Sequence, residues 1–344
     1  MLKINKPTMD EWNVLYKAAE NFKKAACWKW MYDNDIFGVQ DPETGEIAYC
    51  CIMGNAGEHF AIAGYLGTEG LDGILKMFSG EVEPSNPDNM YLQKCLMCSF
   101  EDRAALAPED LKVIKDAELK FRGRNEWPVF RHYEPGLFPW FLTASQCRFL
   151  THIITQALEV SVRCRESKEI LEHKTLYTYL VRVNRKPGSG DSSWEDQYID
   201  IEPFKPKFVS FHIKDEMRLR RLVSTKPAKR IVLEADTFFT PSPVREKSRP
   251  YYPKICMLLD HHNGMVLSFE MLTDIKKEGY KCIEMLVNFI ERNGVKPLKM
   301  LVTREETYYL YVDVCKQLDI TLEVVDHLEF AGQVRNGMFN FMMR

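Results

Sequence analysis

The chain has 344 residues, of which 45% are hydrophobic and 28% are charged, a composition typical of a globular protein and not of a disordered one. Its 46 basic and 49 acidic residues leave a net charge of -3. This excludes a global electrostatic field that would draw the chain onto nucleic acid or membrane, so such binding would need a local patch of basic residues. The sequence contains no apolar run of membrane-spanning length and no signal-like start, so we expect a soluble protein that stays where it is made.

The ten cysteines predict a reducing compartment. Most of them lie inside apolar patterns, where a free thiol acts as a small hydrophobic side chain. A chain with this much other apolar material does not need disulfides. We therefore expect a cytoplasmic protein.

Residues 1–165 predict an α+β domain, with helices around a small antiparallel sheet. Thr8 and Glu11 form a capping box in front of apolar residues at helical spacing, which predicts a helix of about 17 residues. Two β-like runs, residues 47–53 and 58–65, flank a Gly-Asn-Ala-Gly turn and predict a hairpin.

The stretch from Trp127 to Trp140 is rich in aromatic residues, and its three prolines rule out a regular helix. We expect it to wrap the surface of the first domain, where its aromatic side chains could dock a partner protein. Thr143 and Gln146 then form a second capping box before a long amphipathic helix. Residues 166–228 contain only short β-like runs, which predicts a connecting region.

Residues 229–344 predict a mixed-sheet α/β domain with the element order β-β-β-α-β-α-β-α. The second and third strands are joined by His261-His262-Asn263-Gly264, whose Asn-Gly pair is a strong hairpin signal. Three antiparallel strands followed by parallel crossovers through helices are the order of ribonuclease H-like folds, which integrases and transposases share.

Short stretches in both domains together carry a family resemblance. They are Trp28-Lys29-Trp30-Met31, Phe37-Gly38-Val39, residues 49–57, Phe121-Arg122-Gly123-Arg124 with Trp127-Pro128, Ala235-Asp236, Arg249-Pro250-Tyr251-Tyr252-Pro253, and Leu259-Asp260 with Gly264. In these stretches the chain resembles an uncharacterised bacterial family in which one domain of unknown function precedes another. The resemblance covers nearly the whole chain, and it implies no activity, substrate or site.

Asp236 is the first candidate for chemistry, because it ends an apolar run at the place where ribonuclease H-like nucleases hold their first metal-binding carboxylate. Alternation along the strand puts Glu234 on the same face. Two-metal phosphoryl transfer needs several converging carboxylates. One alternative is therefore a phosphoryl-transfer enzyme that uses Asp236, Asp260 and Glu305 with Mg²⁺.

The residues at the other expected positions favour a protein without that chemistry. Glu284 shares the polar side of its helix with lysines and is expected to face water. Thr303 and Glu306 have capping-box spacing, and Glu305 is then an acid of the first helical turn. Arg304 would oppose a bound cation. This pattern predicts a non-enzymatic or catalytically degenerate protein that needs no cofactor.

A second hypothesis is a metal site formed by Asp260, His261 and His262, since imidazole and carboxylate are ordinary zinc ligands. However, neighbouring side chains on an extended strand point to opposite faces. A polar turn in which Asp260 accepts hydrogen bonds from the backbone explains the same residues.

The loop of residues 241–253 is the candidate binding surface, because it interleaves basic and aromatic side chains: Arg245, Lys247, Arg249, Tyr251 and Tyr252. Such groups can grip a phosphate backbone or stack on bases. The alternative is structural, with prolines that stiffen the loop and tyrosines that cover the end of the sheet. The leading interpretation is a cytoplasmic binding protein, with nucleic acid or another protein as its partner and no membrane involved.

Overall fold

A computed structural model describes residues 5–80, 89–172, 175, 177–185, 193–246 and 249–342. The chain divides into two compact units. The first unit comprises Met1–Pro135 and Pro139–Lys205, and the second comprises Gly136–Phe138 and Pro206–Arg344. Within the described ranges, no helix is both long enough and apolar enough to cross a membrane.

The larger sheet has eight described strands in the order β6-β5-β4-β3-β2-β1-β7-β8. The strands are β1 (Phe37–Gln40), β2 (Ile47–Met53), β3 (Ala61–Leu66), β4 (Cys95–Glu101), β5 (Trp127–Glu134), β6 (Leu137–Trp140), β7 (Thr178–Asn184) and β8 (Trp194–Asp200). β1 pairs antiparallel with β2 and parallel with β7. The sheet is therefore mixed and larger than the small antiparallel sheet that the sequence predicts, because β7 and β8, within the predicted connecting region, join it.

Helices cover both faces of this sheet. They are α1 (Met9–Ala25), α2 (Gly67–Ser79), α3 (Asn89–Leu92), α4 (Pro108–Asp116) and α5 (Ala144–Glu166), with short 3₁₀ turns at Cys27–Lys29, Arg103–Ala105 and Lys168–Leu171. Both predicted capping boxes are confirmed, at Thr8 for α1 and at Thr143 for α5. α1 and α5 pack on one face, where they bury Leu15, Phe22, Leu150 and Ile154.

The second unit contains a five-stranded sheet in the order β11-β10-β9-β12-β13. Its strands are β9 (Pro227–Phe239), β10 (Lys254–Asp260), β11 (Val266–Leu272), β12 (Lys296–Val302) and β13 (Thr321–Val324), and its helices are α6 (Glu216–Ser224), α7 (Ile275–Glu278), α8 (Tyr280–Asn293), α9 (Glu305–Leu318) and α10 (Ala331–Met342). β10 is antiparallel to β9 and β11, whereas β12 is parallel to β9 and β13. The predicted mixed sheet and its ribonuclease H-like strand order are confirmed.

The two faces of the second sheet have different covers. One face packs under α6, α8 and α9, which bury a large apolar core that includes Leu222, Leu286 and Leu310. The other face packs under α10, through Ala331 and Phe339. Glu234 and Asp236 lie on this second face, so α10 determines what surrounds them.

Candidate functional site

The sequence predicts that Asp236 ends its strand, and this prediction is wrong. Asp236 lies inside β9, which continues to Phe239. The residue is buried, with 2% of its whole surface exposed. The strand is longer than predicted because Thr237, Phe238 and Phe239 continue to pair with β10. Asp236 is therefore a residue of the strand interior under α10 and not a carboxylate at an open edge.

Two arginines hold the carboxylate of Asp236. Arg304 donates from Nε to Oδ1 at 3.0 Å, and Nη1 of Arg335 in α10 lies 3.7 Å from Oδ2. The backbone N–H of Thr237 also donates to Oδ1, at 2.9 Å. Burial raises the pKa of Asp236, and the two guanidinium groups act against that shift. Since both positive charges already neutralise the carboxylate, this position opposes a bound metal cation.

Glu234 is fully buried and caps the N-terminus of α10. Its carboxylate accepts hydrogen bonds from the backbone N–H groups of Glu329, Phe330 and Ala331, at 2.9 to 3.1 Å. Nδ1 of His261 lies 2.8 Å from the same carboxylate. A negative charge at a helix N-terminus is stabilised by the unpaired amides and the helix dipole. Glu234 shares its face with Asp236 as predicted, and it anchors α10.

Asp260 has the structural role that the polar-turn interpretation predicts. Its Oδ1 accepts hydrogen bonds from the backbone N–H groups of His262, at 2.8 Å, and Asn263, at 3.2 Å. The interaction closes the turn between β10 and β11 and leaves His261 directed to Glu234. The two histidine rings lie 5.6 Å apart between centroids, but Nδ1 of His261 contacts Glu234, whereas the backbone N–H of His262 contacts Asp260.

Glu305 is an exposed residue at the first position of α9. The predicted capping box of Thr303 with Glu306 is wrong, because the cap residue is Arg304, and Glu306 instead forms an ion pair with Lys254. Among the residues with described positions, no group of three His, Cys, Asp or Glu side chains could hold a metal ion. The structure does not bring Asp236, Asp260 and Glu305 together.

The loop of residues 241–253 is tied to its surroundings by the residues predicted to bind. Tyr252 is 5% exposed, so it is not available to stack on a base, and this part of the predicted binding surface is wrong. Nε of Arg249 donates to the backbone oxygen of Phe138 at 2.9 Å. Tyr251 forms a β-bridge with Val244. Three of the five residues predicted to bind, Arg249, Tyr251 and Tyr252, thus contact the protein itself.

The remaining two residues of this loop that are predicted to bind are Arg245 and Lys247. Arg245 is exposed and stays a candidate for binding. Lys247 lies outside the described residues.

The aromatic stretch predicted to dock a protein forms β5 and β6 instead of an irregular surface segment, and its Trp127 ring packs against Phe121 at 5.8 Å between ring centroids.

A basic surface that the sequence analysis did not single out lies along α6 and the start of β9. Residues 214–230, here called the basic segment, contain seven lysines and arginines and two acidic residues, a net charge of +5 in a chain whose total is -3. The exposed cations of the segment are Lys214, Arg220, Arg221, Lys226, Lys229 and Arg230. A count of charge along the sequence would have found it.

One arginine of the basic segment fixes α6 in place. Arg218 donates both to Glu284, at 2.8 and 2.9 Å, and to Glu291, at 2.9 Å, on α8. Leu222 is buried in the core beneath. Because these contacts hold one side of α6, Arg220 and Arg221 are left on the solvent side. Glu284 is therefore a partner for Arg218 and not simply a solvated acid.

Lys296 next to the basic segment has an internal role. Its side chain is 5% exposed, and Nζ donates to the carbonyl oxygens of Leu318, at 2.7 Å, and Val223, at 3.4 Å, at the ends of α9 and α6. A cation at a helix C-terminus offsets the helix dipole. The buried Lys296 thus offsets the dipoles at the C-terminal ends of α6 and α9. The exposed cations of the basic segment stay accessible to a ligand.

The fold defines a mixed α/β protein of two units, the second with a ribonuclease H-like strand order. Residues 12–182 match the family described as "Domain of unknown function (DUF7309)", and residues 218–339 match the family described as "Domain of unknown function (DUF6930)". The chain therefore carries two domains of unknown function in tandem, as the sequence resemblance predicts.

Two solved structures are similar to parts of the chain. "Structure of the HTLV-2 integrase catalytic core domain in complex with magnesium (trimeric form)" has 17% identity and a TM-score of 0.24, and the match covers 33% of this chain and 72% of that one. "Mos1 transposase paired-end complex with left transposon end" has 11% identity and a TM-score of 0.22, with 70% and 68% covered. Because both TM-scores are low, the ribonuclease H-like description rests on strand order and direction. No curated protein matches the chain.

Proposed function

We propose that this chain is a nucleic-acid-binding protein whose ribonuclease H-like unit has no phosphoryl-transfer activity. The observation that carries the absence of this activity is the pairing of Asp236 with Arg304 and Arg335. A magnesium ion at this carboxylate would have to displace two positive charges and open the contact with α10. The binding function accordingly needs no metal or cofactor.

Nucleic acid is the proposed partner because the basic segment presents a run of exposed cations. Lys226, Lys229 and Arg230 lie within five consecutive residues, which span roughly 13 Å of extended chain. Cations spread over such a length can contact several phosphates of one strand. The basic segment replaces the loop of residues 241–253 as the main proposed surface, with Arg245 as a further exposed cation.

Charge reversal at the basic segment tests this proposal. The binding of a fluorescein-labelled duplex and of its single strand is measured by fluorescence anisotropy at several salt concentrations. The triple variant Lys226→Glu, Lys229→Glu, Arg230→Glu should bind at least tenfold more weakly, and the slope of log affinity against log salt should fall by about 2 to 3. The matched control is Lys276→Glu with Lys277→Glu on α7, which changes exposed lysines elsewhere in the same unit and should bind like the parent.

Two results would contradict the proposal. The first is a parent protein that binds neither the duplex nor the single strand at low salt. The second is an equal loss of affinity in the basic-segment variant and the α7 control, since this would reflect total charge and not a surface.

The metal-dependent alternative has its own test. An enzyme that uses Asp236, Asp260 and Glu305 would cleave or transfer phosphodiesters with Mg²⁺, and Asp236→Asn would abolish that activity. We expect no turnover by the parent with Mg²⁺ or Mn²⁺. Turnover that Asp236→Asn removes would decide for the enzyme and against our proposal.

A cytoplasmic location is part of the same proposal. All ten cysteines are buried and free. Burial raises the pKa of Cys147 to about 12 and that of Cys164 to about 11, so these thiols stay protonated at neutral pH. Free thiols used as core side chains suit a reducing compartment, which is where a nucleic-acid partner would be met.

A further inference from the structure

The edges of the two sheets differ in how well they are protected against further strand pairing. An edge strand carries unpaired backbone groups, and proteins protect such edges with short strands, charges or proline. In the described sheets, β6 and β13 have four residues each, and Pro139 lies in β6. β8 is longer but contains three acids, Glu195, Asp196 and Asp200. These three edges are protected.

β11 is the exception among these edges. It has seven residues, Val266–Leu272, with no proline, no lysine or arginine and only one acid, Glu270. It lies at the end of the five-stranded sheet, next to β10. A seven-residue edge of this composition is a ready template for another strand.

The exposed side chains of β11 are large and apolar. Phe269 is 60% exposed, Met271 is 48% exposed and Val266 is 41% exposed. Their partners across β10 are Met257, Ile255 and Leu259, which belong to the core under α10. The three side chains therefore extend that apolar face to the edge of the sheet, where the described part of the chain leaves them uncovered.

We infer that β11 pairs antiparallel with β11 of a second copy of this chain, so that two five-stranded sheets become one continuous sheet in a twofold dimer. An isologous contact requires a surface that complements itself. A twofold axis at Phe269 sets the two Phe269 rings side by side and places Glu270 of each copy opposite Ser268 of the other. The two Glu270 carboxylates, one from each copy, therefore do not lie directly opposite each other, where they would repel. Without cations, this edge does not suit nucleic acid.

Cysteine cross-linking tests the geometry directly. All ten native cysteines are buried, so a cysteine introduced at the surface is the reactive one. In the Phe269→Cys variant, the two new thiols face each other across the axis, and mild oxidation should give a disulfide-linked dimer in most of the protein. The matched control is Val324→Cys, on the protected edge strand β13 and 57% exposed, which should stay monomeric on a denaturing gel.

The oligomeric state of the full chain is measured in parallel by sedimentation velocity over a range of concentrations. The parent should dimerise, and Phe269→Lys should sediment as a monomer because two buried ammonium groups would meet at the axis. Circular dichroism checks that Phe269→Lys is folded. If it is not folded, the cross-linking result decides alone.

A parent that is monomeric at every concentration would overturn the inference. So would a dimer in which Val324→Cys cross-links and Phe269→Cys does not, since the copies would then meet at another edge. Nucleic-acid binding is measured separately, so neither result bears on the proposed function.

Discussion

Asp236 combines a buried carboxylate with two guanidinium groups that keep some contact with solvent. The side chains of Arg304 and Arg335 are 27% and 25% exposed, while that of Asp236 is 3% exposed. The desolvation cost thus falls mainly on the carboxylate, which is why its pKa is raised in spite of two positive neighbours. The charge of Asp236 therefore adds little net stability, but its carboxylate accepts hydrogen bonds from Arg304 and from the N–H of Thr237 and lies within ion-pair distance of Arg335.

Two substitutions at Asp236 separate these contributions. Asp236→Asn keeps an acceptor for Arg304 and the Thr237 N–H and removes the buried charge, so we expect it to change the free energy of unfolding by less than about 1 kcal/mol. Asp236→Ala removes every acceptor and should cost roughly 2–3 kcal/mol, because the arginines lose their partner. Urea denaturation measures both. An equal, large loss in the two variants would mean that the charge itself stabilises the fold.

At the scale of elements, α10 is held at its first turn by one buried side chain from another strand. Glu234→Gln keeps the size of that side chain but removes the charge that the amides of Glu329, Phe330 and Ala331 contact. Charge-assisted hydrogen bonds are worth about 1.5–3 kcal/mol, and losing part of this should raise hydrogen exchange in α10 by about tenfold. The exchange is measured by mass spectrometry under native conditions.

The control for this prediction is Glu329→Gln, which changes an exposed acid in the same turn whose backbone, not its side chain, contacts Glu234. Exchange in α10 should stay at the parent level in this variant. Equal protection of α10 in the parent and in Glu234→Gln would show that apolar packing alone holds the helix.

The elements also mark where reasoning from sequence succeeds. Local signals were sufficient for the capping boxes of α1 and α5 and for the Asn-Gly hairpin, because each depends on residues within a few positions of one another. α6 was missed because it has only nine residues and its fixing contacts, from Arg218 to α8, are 66 and 73 positions away. The bounds of α9 were predicted correctly, but its capping box at Thr303 was wrong, because Glu306 pairs with Lys254 from another strand.

The candidate site shows the same limit. Alternation correctly placed Glu234 and Asp236 on one face of β9. Their roles depend on Arg304 and Arg335, 68 and 99 positions later, and on the first turn of α10. No local pattern shows which face of the sheet α10 covers, so the sequence could propose the acids but not their partners.

At the scale of the whole molecule, the two units have separate large cores. Leu150 of α5 is fully buried among residues of the first unit, and Leu286 of α8 is fully buried among residues of the second. Units with their own cores unfold as separate cooperative blocks. We therefore expect two transitions in differential scanning calorimetry.

Leu150→Ala and Leu286→Ala should each lower the midpoint of a different transition, since each creates a cavity in one core at a cost of about 2–5 kcal/mol. Val162→Ala in α5 and Asn288→Ala in α8 change exposed positions of the same helices and should leave both midpoints nearly unchanged. If both leucine variants lowered one common transition equally, the two cores would unfold as a single block, and ligand binding at the basic segment would then stabilise the first unit as well as the second.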